Sequence, residues 1–82
     1  MSVVIIDYGM GNVASVQKSL NFLNIASQIS KDRSDIERAK YILLPGVGSF
    51  KQGMENIKNA GLIDVLNQEV MERKKPFLGI CL

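Results

Sequence analysis

The segment Val3-Val-Ile-Ile-Asp-Tyr-Gly-Met-Gly-Asn12 decides the fold class of this chain. Its first four residues are all apolar and β-branched, with none of the alternation expected of a strand that has one face in water. A continuous apolar run of this kind predicts a strand buried on both faces, as in a parallel sheet. The acid and two glycines that follow predict a tight turn, and Asn12 favours a helix N-cap. The segment therefore predicts a strand–loop–helix unit.

The rest of the chain repeats this alternation. Further strands are predicted at Ile25–Ser30, Tyr41–Leu44 and Phe77–Cys81. The first of these is more polar and is expected nearer an edge of the sheet, and Pro45 is expected to stop the second. Helices are predicted at Asn12–Leu23, Ser34–Lys40, Phe50–Ala60 and Leu62–Arg73. The second and third of them begin with the capping boxes Ser34/Glu37 and Ser49/Gln52. The fourth is amphipathic, with Ile63, Leu66 and Val70 on one face. Gly61 is expected to end the third of these helices. The pattern predicts an open, mostly parallel α/β sheet with helices on both faces.

Composition excludes several classes of protein. The formal charge of +2 and the dispersed basic residues argue against a nucleic-acid partner. With one cysteine and no histidine, neither an internal disulfide nor a Cys/His zinc site is expected, and we expect no metal or other cofactor. No apolar run approaches the ~20 residues that span a bilayer, so no membrane association is expected. The N-terminus lacks the basic start of a signal peptide, and a free cysteine then favours the cytosol.

In open α/β sheets, ligands bind beyond the carboxyl ends of the strands. That rule selects Tyr8–Asn12, Pro45–Ser49 and Cys81–Leu82. Cys81 ends a predicted strand two residues after Gly79, as a nucleophile on a sharp strand-to-helix turn would. Most free cysteines are simply small buried apolar residues, so these residues alone leave both interpretations open.

The glycines of the other two loops also have ordinary and functional interpretations. Gly46 and Gly48 could turn backbone N–H groups toward an anion, such as the oxyanion of acyl transfer, or could merely permit a strand-to-helix turn. No phosphate-binding Gly-Lys-Ser/Thr follows them. Gly9, Gly11 and Ala14 match a dinucleotide fingerprint, but Ser30-Lys31 stands where its acid belongs, so a nicotinamide site is disfavoured.

Taken together, Asp7-Tyr-Gly-Met-Gly-Asn12, Leu44-Pro-Gly-Val-Gly48 and Pro76-Phe-Leu-Gly-Ile-Cys-Leu82 resemble the class I (triad) glutamine amidotransferases. Within that family they are most similar to the glutaminase subunits of imidazole glycerol phosphate synthase, a histidine-biosynthesis enzyme. The resemblance covers essentially the whole chain, with the motifs in the same order and spacing. It implies a flavodoxin-like fold in which residues 1–82 form the N-terminal part of a single domain.

The resemblance also implies roles for particular residues. The Cys81 thiolate attacks the side-chain amide of glutamine, ammonia leaves, and water releases glutamate. The backbone of Gly46, Val47, Gly48 and Leu82 binds substrate and its oxyanion. The ammonia passes to a (β/α)₈-barrel synthase subunit. The partner interface includes four residues of the first loop: Tyr8, Gly9, Met10 and Asn12.

The chain departs from the family in containing no histidine, whereas the family uses a histidine base oriented by a glutamate. An ordinary cysteine thiol, with a pKa of about 8.5, is only a few per cent thiolate at neutral pH. We therefore expect these 82 residues to stop within the nucleophile turn and to be inactive alone. We also expect uncovered apolar surface and self-association.

Two alternatives to the histidine-pathway function remain open at this stage. A paralogous amidotransferase subunit that supplies ammonia for bacterial surface sugars shares the same motifs. A non-catalytic flavodoxin-like module would use Cys81 only for packing, and alkylation by a glutamine-analogue electrophile would distinguish it.

Overall fold

A computed structural model describes residues 2–9, 11–46 and 50–81, with the backbone only of residues 50, 80 and 81. In these residues four strands form one sheet: β1 (Val3–Ile6), β2 (Ser27–Ser30), β3 (Tyr41–Gly46) and β4 (Phe77–Cys81). The order across the sheet is β2-β1-β3-β4, and all three pairings are parallel. The predicted parallel α/β sheet is confirmed, as is the edge position of the second strand.

Helical segments connect the strands: α1 (Val13–Phe22), α2 (Arg33–Arg38), α3 (Phe50–Asn59) and α4 (Ile63–Leu66), which continues as a π-helical segment (Asn67–Glu72). One sheet face packs on α2, α3 and α4. The buried cluster on that face consists of Val4, Ile6, Tyr8, Ile36, Ala39, Ile42, Ile57, Leu62 and Val65. This face carries most of the core of the described residues.

The opposite sheet face is covered by α1 and only in part. No residue of α1 is fully buried, and Phe22 and Leu23 at its end are 87% and 62% exposed. An apolar cleft runs between α1 and the β3–β4 side of the sheet, past Leu20, Leu43 and Leu78. The two faces are therefore unequally covered, although helices lie on both as predicted.

The sequence predicted that Pro45 stops the third strand, and this prediction is wrong. β3 continues through Pro45 to Gly46. The reason lies in its neighbours. The β1–β3 pairing ends at Ile5 and Leu43, whereas the β3–β4 pairing continues through Pro45 opposite Ile80. Beyond Leu43, β3 has a partner on one side only, and proline is tolerated where its missing N–H is not needed by a neighbouring strand.

The end of α3 explains why one of the three residues predicted on a single face of the next helix is exposed, while the other two are partly buried against the core. Gly61 has φ +72°, and the N–H groups of Leu62 and Gly61 donate to the carbonyls of Ile57 and Lys58 at 3.1 and 3.0 Å. This is a Schellman motif, in which the residue after the glycine contacts the last helical turn. Leu62 therefore enters the core beside Ile57, and Ile63 is left 39% exposed.

The remaining helix predictions need smaller corrections. The capping box at Ser34/Glu37 is wrong, because α2 begins one residue earlier, at Arg33, with Asp32 as its N-cap. The helix predicted over Leu62–Arg73 becomes π-helical from Asn67 onward. Ser49, the other predicted capping residue, lies outside the described residues. None of these differences moves a strand end.

Candidate functional site

The carboxyl ends of β1, β3 and β4 lie at one edge of the sheet, because these strands are neighbours and run parallel. The register places Gly46 opposite Cys81. The backbone of the predicted nucleophile is therefore directly beside the start of the loop predicted to bind the oxyanion. Of the three segments selected from the sequence, two are joined here by strand pairing.

The third segment, the loop after β1, reaches the same edge through a close approach of main chains. Gly11 has φ +83°, and a Cβ on it would lie 2.9 Å from the carbonyl carbon of Pro45. Only glycine fits this position without displacing the end of β3. The side chain of Asn12 then caps α1, since its Oδ1 accepts from the Ser15 N–H at 3.1 Å, as predicted from the sequence.

Residues of this loop differ in their exposure. The Tyr8 side chain is 7% exposed and belongs to the core cluster, whereas Gly9 and Asn12 are exposed. A Cβ on Gly9 would meet the Asn56 side chain of α3 at 3.3 Å. Tyr8 thus anchors the loop to the core and α3 lies beside it, whereas Gly9 and Asn12 are exposed to solvent.

Several predicted site residues cannot be compared with the structure. Met10, Val47, Gly48 and Leu82 lie outside the described residues, and of Cys81 only the backbone is described. Their roles remain predictions. The structure does establish the framework that leads to them, namely the ends of β1, β3 and β4.

A polar cleft of about 340 Å³ lies beside the first loop and was missed by sequence reasoning. Lys31 follows β2 at the same sheet edge, and Asn56 and Asn59 approach from α3. The strand-end rule could have selected Lys31, because it directly follows a predicted strand. Nothing local in the sequence marks Asn56 and Asn59, whose position depends on how α3 packs.

Within residues 2–9, 11–46 and 50–81, no cluster of three or more His, Cys, Asp or Glu residues could hold a metal ion. Among the same residues, no helix combines the length and apolarity that crossing a bilayer requires.

The sequence matches the family model "Glutamine amidotransferase class-I" over residues 4–82. A sheet edge that joins a glycine-rich loop to a strand-terminal cysteine is consistent with that match. The chain therefore belongs to the class I glutamine amidotransferase family.

Among curated proteins, the chain is similar to imidazole glycerol phosphate synthase subunits HisH. It is 46% identical over 80 residues to HisH 2 of Pseudomonas aeruginosa, and 49% identical over 80 residues to HisH 2 of Methanococcus maripaludis. Each alignment covers 98% of this chain and 40% of the relative. HisH of Moorella thermoacetica is 46% identical over the same length, with 38% of the relative covered. The chain thus spans about two fifths of the length of these relatives.

Proposed function

We propose that this chain carries the nucleophile part of a glutaminase, within the N-terminal portion of one amidotransferase domain. The observation that carries the proposal is the register that pairs Gly46 with Cys81 at the carboxyl edge of the sheet. The nucleophile and the loop of oxyanion donors then start from adjacent backbone positions. Family membership over residues 4–82 supports the same assignment.

In the proposed reaction, the thiolate of Cys81 attacks the carbonyl carbon of the glutamine side-chain amide and a C–S bond forms. The resulting oxyanion accepts hydrogen bonds from backbone N–H groups at Val47 or Gly48 and at Leu82, the type of donor that stabilises charge developing in acyl transfer. The C–N bond breaks as nitrogen accepts a proton and leaves as ammonia. Water then cleaves the thioester, which releases glutamate and restores the thiol.

Proton transfer in these steps needs a base that the 82 residues do not contain, since there is no histidine among them. We infer that the base is supplied by a histidine outside these residues, oriented by a glutamate. Without it, the cysteine has no group to accept its proton before attack. The proposed activity therefore belongs to a glutaminase domain that includes these residues and such a histidine.

We further propose that the ammonia is delivered to a (β/α)₈-barrel synthase subunit that makes imidazole glycerol phosphate, in the cytoplasm and without a cofactor. Support comes from the names of the relatives, which are subunits of imidazole glycerol phosphate synthase. The first loop would meet that subunit. Gly9 and Asn12 are its exposed described residues, whereas Tyr8 would hold the loop from beneath.

A chimera tests both the glutaminase proposal and the histidine-pathway assignment. These 82 residues replace the matching residues of the Pseudomonas aeruginosa relative, and glutamate release from glutamine is measured with and without the relative's synthase subunit. We expect release that disappears in the Cys81→Ala chimera. A folded chimera that releases no glutamate would contradict the glutaminase proposal. Failure to rescue a histidine auxotroph, with glutamate release intact, would contradict only the histidine-pathway assignment.

A further inference from the structure

Lys75, the second residue before β4, is surrounded by three oxygen atoms. Its Nζ donates to the carbonyl oxygens of Ile36 and Glu37 at 3.0 and 2.6 Å, and lies 2.6 Å from Oε1 of Glu69. Three oxygens match the three N–H donors of an ammonium group. The two carbonyls belong to the last turn of α2, where they have no partner within the helix. Lys75 therefore ties the C-terminal end of α2 to the π-helical segment.

Glu69 completes this tie from inside the protein. Its side chain is fully buried, with Arg73 Nε 3.1 Å from Oε2 on the side away from Lys75. Neither contact has hydrogen-bond angles, so the carboxylate is held by charge. The backbone N–H of Lys75 also donates to the carbonyl oxygen of Glu69 at 3.0 Å. Residue 75 is thus fixed by its main chain and its side chain together.

The described side chains of the strand that follows, at residues 77–79, contribute little to fixing its position along β3. Phe77 and Leu78 are 42% and 56% exposed. A Cβ on Gly79 would find only the Phe77 ring, at 3.9 Å. A slip of two residues retains the hydrogen-bond pattern of the ladder and keeps each side chain on its own face of the sheet, because both repeat every two residues. The anchored end is where the ladder begins, since the Ile42 N–H donates to the Pro76 carbonyl at 3.0 Å.

We propose that Lys75, together with Glu69, is a positioning pair that sets the register of β4 on β3. The register decides whether Cys81 lies opposite Gly46 or, after a slip of two residues, opposite Leu44, which is about 7 Å further from the loop. The importance for catalysis of having Cys81 opposite Gly46 rests on the proposed function. The register itself does not depend on what Cys81 reacts with.

A disulfide competition measures the register directly. A chain with Leu44→Cys and Gly79→Cys, and with its native Cys81, has two thiols on β4 that compete for the one introduced on β3. Position 79 is the register partner of position 44. Parallel neighbours about 4.8 Å apart can be bridged, whereas a partner two residues further along is about 8 Å away and cannot. After equilibration in a thiol–disulfide buffer, peptide mapping gives the ratio of the 44–79 to the 44–81 cross-link.

With Lys75 present, we expect the 44–79 cross-link to dominate. Lys75→Met should lower the ratio about tenfold, a modest population shift between registers. Glu69→Leu/Lys75→Met should lower it similarly, because it removes the tie without leaving a buried carboxylate. Arg38→Met, which removes only the exposed ion pair with Asp35, should leave the ratio unchanged.

Circular dichroism establishes which variants are folded. An unchanged ratio in either folded Lys75 variant would overturn the proposal. If both variants lose their fold while Arg38→Met keeps it, the pair is a requirement for folding rather than for register, and the proposal is equally overturned. Because the cross-links report register without glutamine turnover, this result and that of the chimera can fail independently.

Discussion

Gly11 and Pro45 approach each other so closely that no side chain fits between them. A Cβ on Gly11 would lie 2.9 Å from both the carbonyl carbon and the Cβ of Pro45, and 3.0 Å from its carbonyl oxygen. This contact joins the loop after β1 to the end of β3, although the two residues are far apart in the sequence. It is the main-chain contact by which the first loop reaches the edge where β3 and β4 end.

Gly11→Ala should therefore destabilise the chain by about 2–4 kcal/mol, through an unfavourable positive φ and a collision with backbone atoms that cannot move aside. Gly61→Ala is the matched control, because Gly61 has φ +72° but nothing within 4 Å of its Cβ position. We expect it to cost only about 1–2 kcal/mol, the strain of the left-handed conformation. Urea unfolding gives both values. Equal losses would mean that the contact with Pro45 contributes nothing.

Removal of Lys75 should cost more than removal of the whole ion pair. Lys75→Met leaves the buried carboxylate of Glu69 with only the half-exposed Arg73 as its ion-pair partner, and removing one partner of a buried pair costs about 3 kcal/mol or more. Glu69→Leu/Lys75→Met should lie within about 1.5 kcal/mol of the parent chain, because apolar groups can replace a buried pair. Denaturant midpoints measure the difference. A double variant less stable than Lys75→Met would show that Glu69 stabilises the fold without its lysine.

The N-cap of α1 should contribute measurably because this helix buries no residue completely. Asn12→Ala removes the oxygen that accepts from the Ser15 N–H, and should lower the free energy of unfolding by about 1 kcal/mol. Asn12→Ser restores an acceptor and should recover most of that loss. Helical circular dichroism during unfolding reports both variants. Identical stability of the alanine and serine variants would contradict a capping role.

The 82 residues on their own should release no glutamate from glutamine above the background of the assay. The physical reason is the absence of any histidine to take the thiol proton. A coupled assay with glutamate dehydrogenase, run beside the Cys81→Ala variant, measures this. Turnover that depends on Cys81 would show that another group serves as the base.

The apolar side of the sheet should make the chain associate with a second copy of itself. Phe22 is 87% exposed and Leu78 56% exposed, and β4 is an edge strand within the described residues. Exposed apolar surface beside an unpaired strand edge favours pairing between chains. Light scattering should give a mass above 9.1 kDa, the mass of one chain.

Phe22→Ser/Leu78→Lys should shift the population toward monomer. Met71→Ser is the control, since Met71 is 71% exposed but lines neither the apolar cleft nor the β4 edge. A monomeric parent chain at working concentrations would refute the prediction. An equal effect of the control would indicate non-specific association.

The strands were largely predictable from the sequence because their signals are local. The run Val3–Ile6 and the span Phe77–Cys81 have the predicted bounds, and Ser30 ends β2 as predicted. The three candidate segments were selected from the same information, since strand ends are all that the edge rule requires, and the roles of their residues remain predictions. The prediction for Pro45 was wrong because a strand can contain proline where no neighbouring strand needs its N–H. Whether β3 has such a neighbour beside Pro45 is a property of the sheet rather than of the residue.

The helical segments could be predicted less well, because the burial of their side chains depends on contacts with distant residues. Glu69 lies in the mostly polar run Asn-Gln-Glu-Val-Met-Glu72, where nothing local indicates that its side chain is completely buried. Its burial requires Lys75 to come back to it after the chain has left the helix. The exposure of Ile63 likewise depends on the turn at Gly61, which directs Leu62 inward. Such contacts are decided by tertiary structure.

The position of β4 at the edge of the described sheet also has a consequence for local opening. The side chains of Val4, Ile5 and Ile6 in β1 are at most 1% exposed, whereas Phe77 and Leu78 of β4 are 42% and 56% exposed. Local opening is easiest where few apolar contacts must be broken. We expect the amides of β4 to exchange with solvent faster than those of β1. The cysteine would then lie on a strand that opens to solvent more readily than the central strand β1.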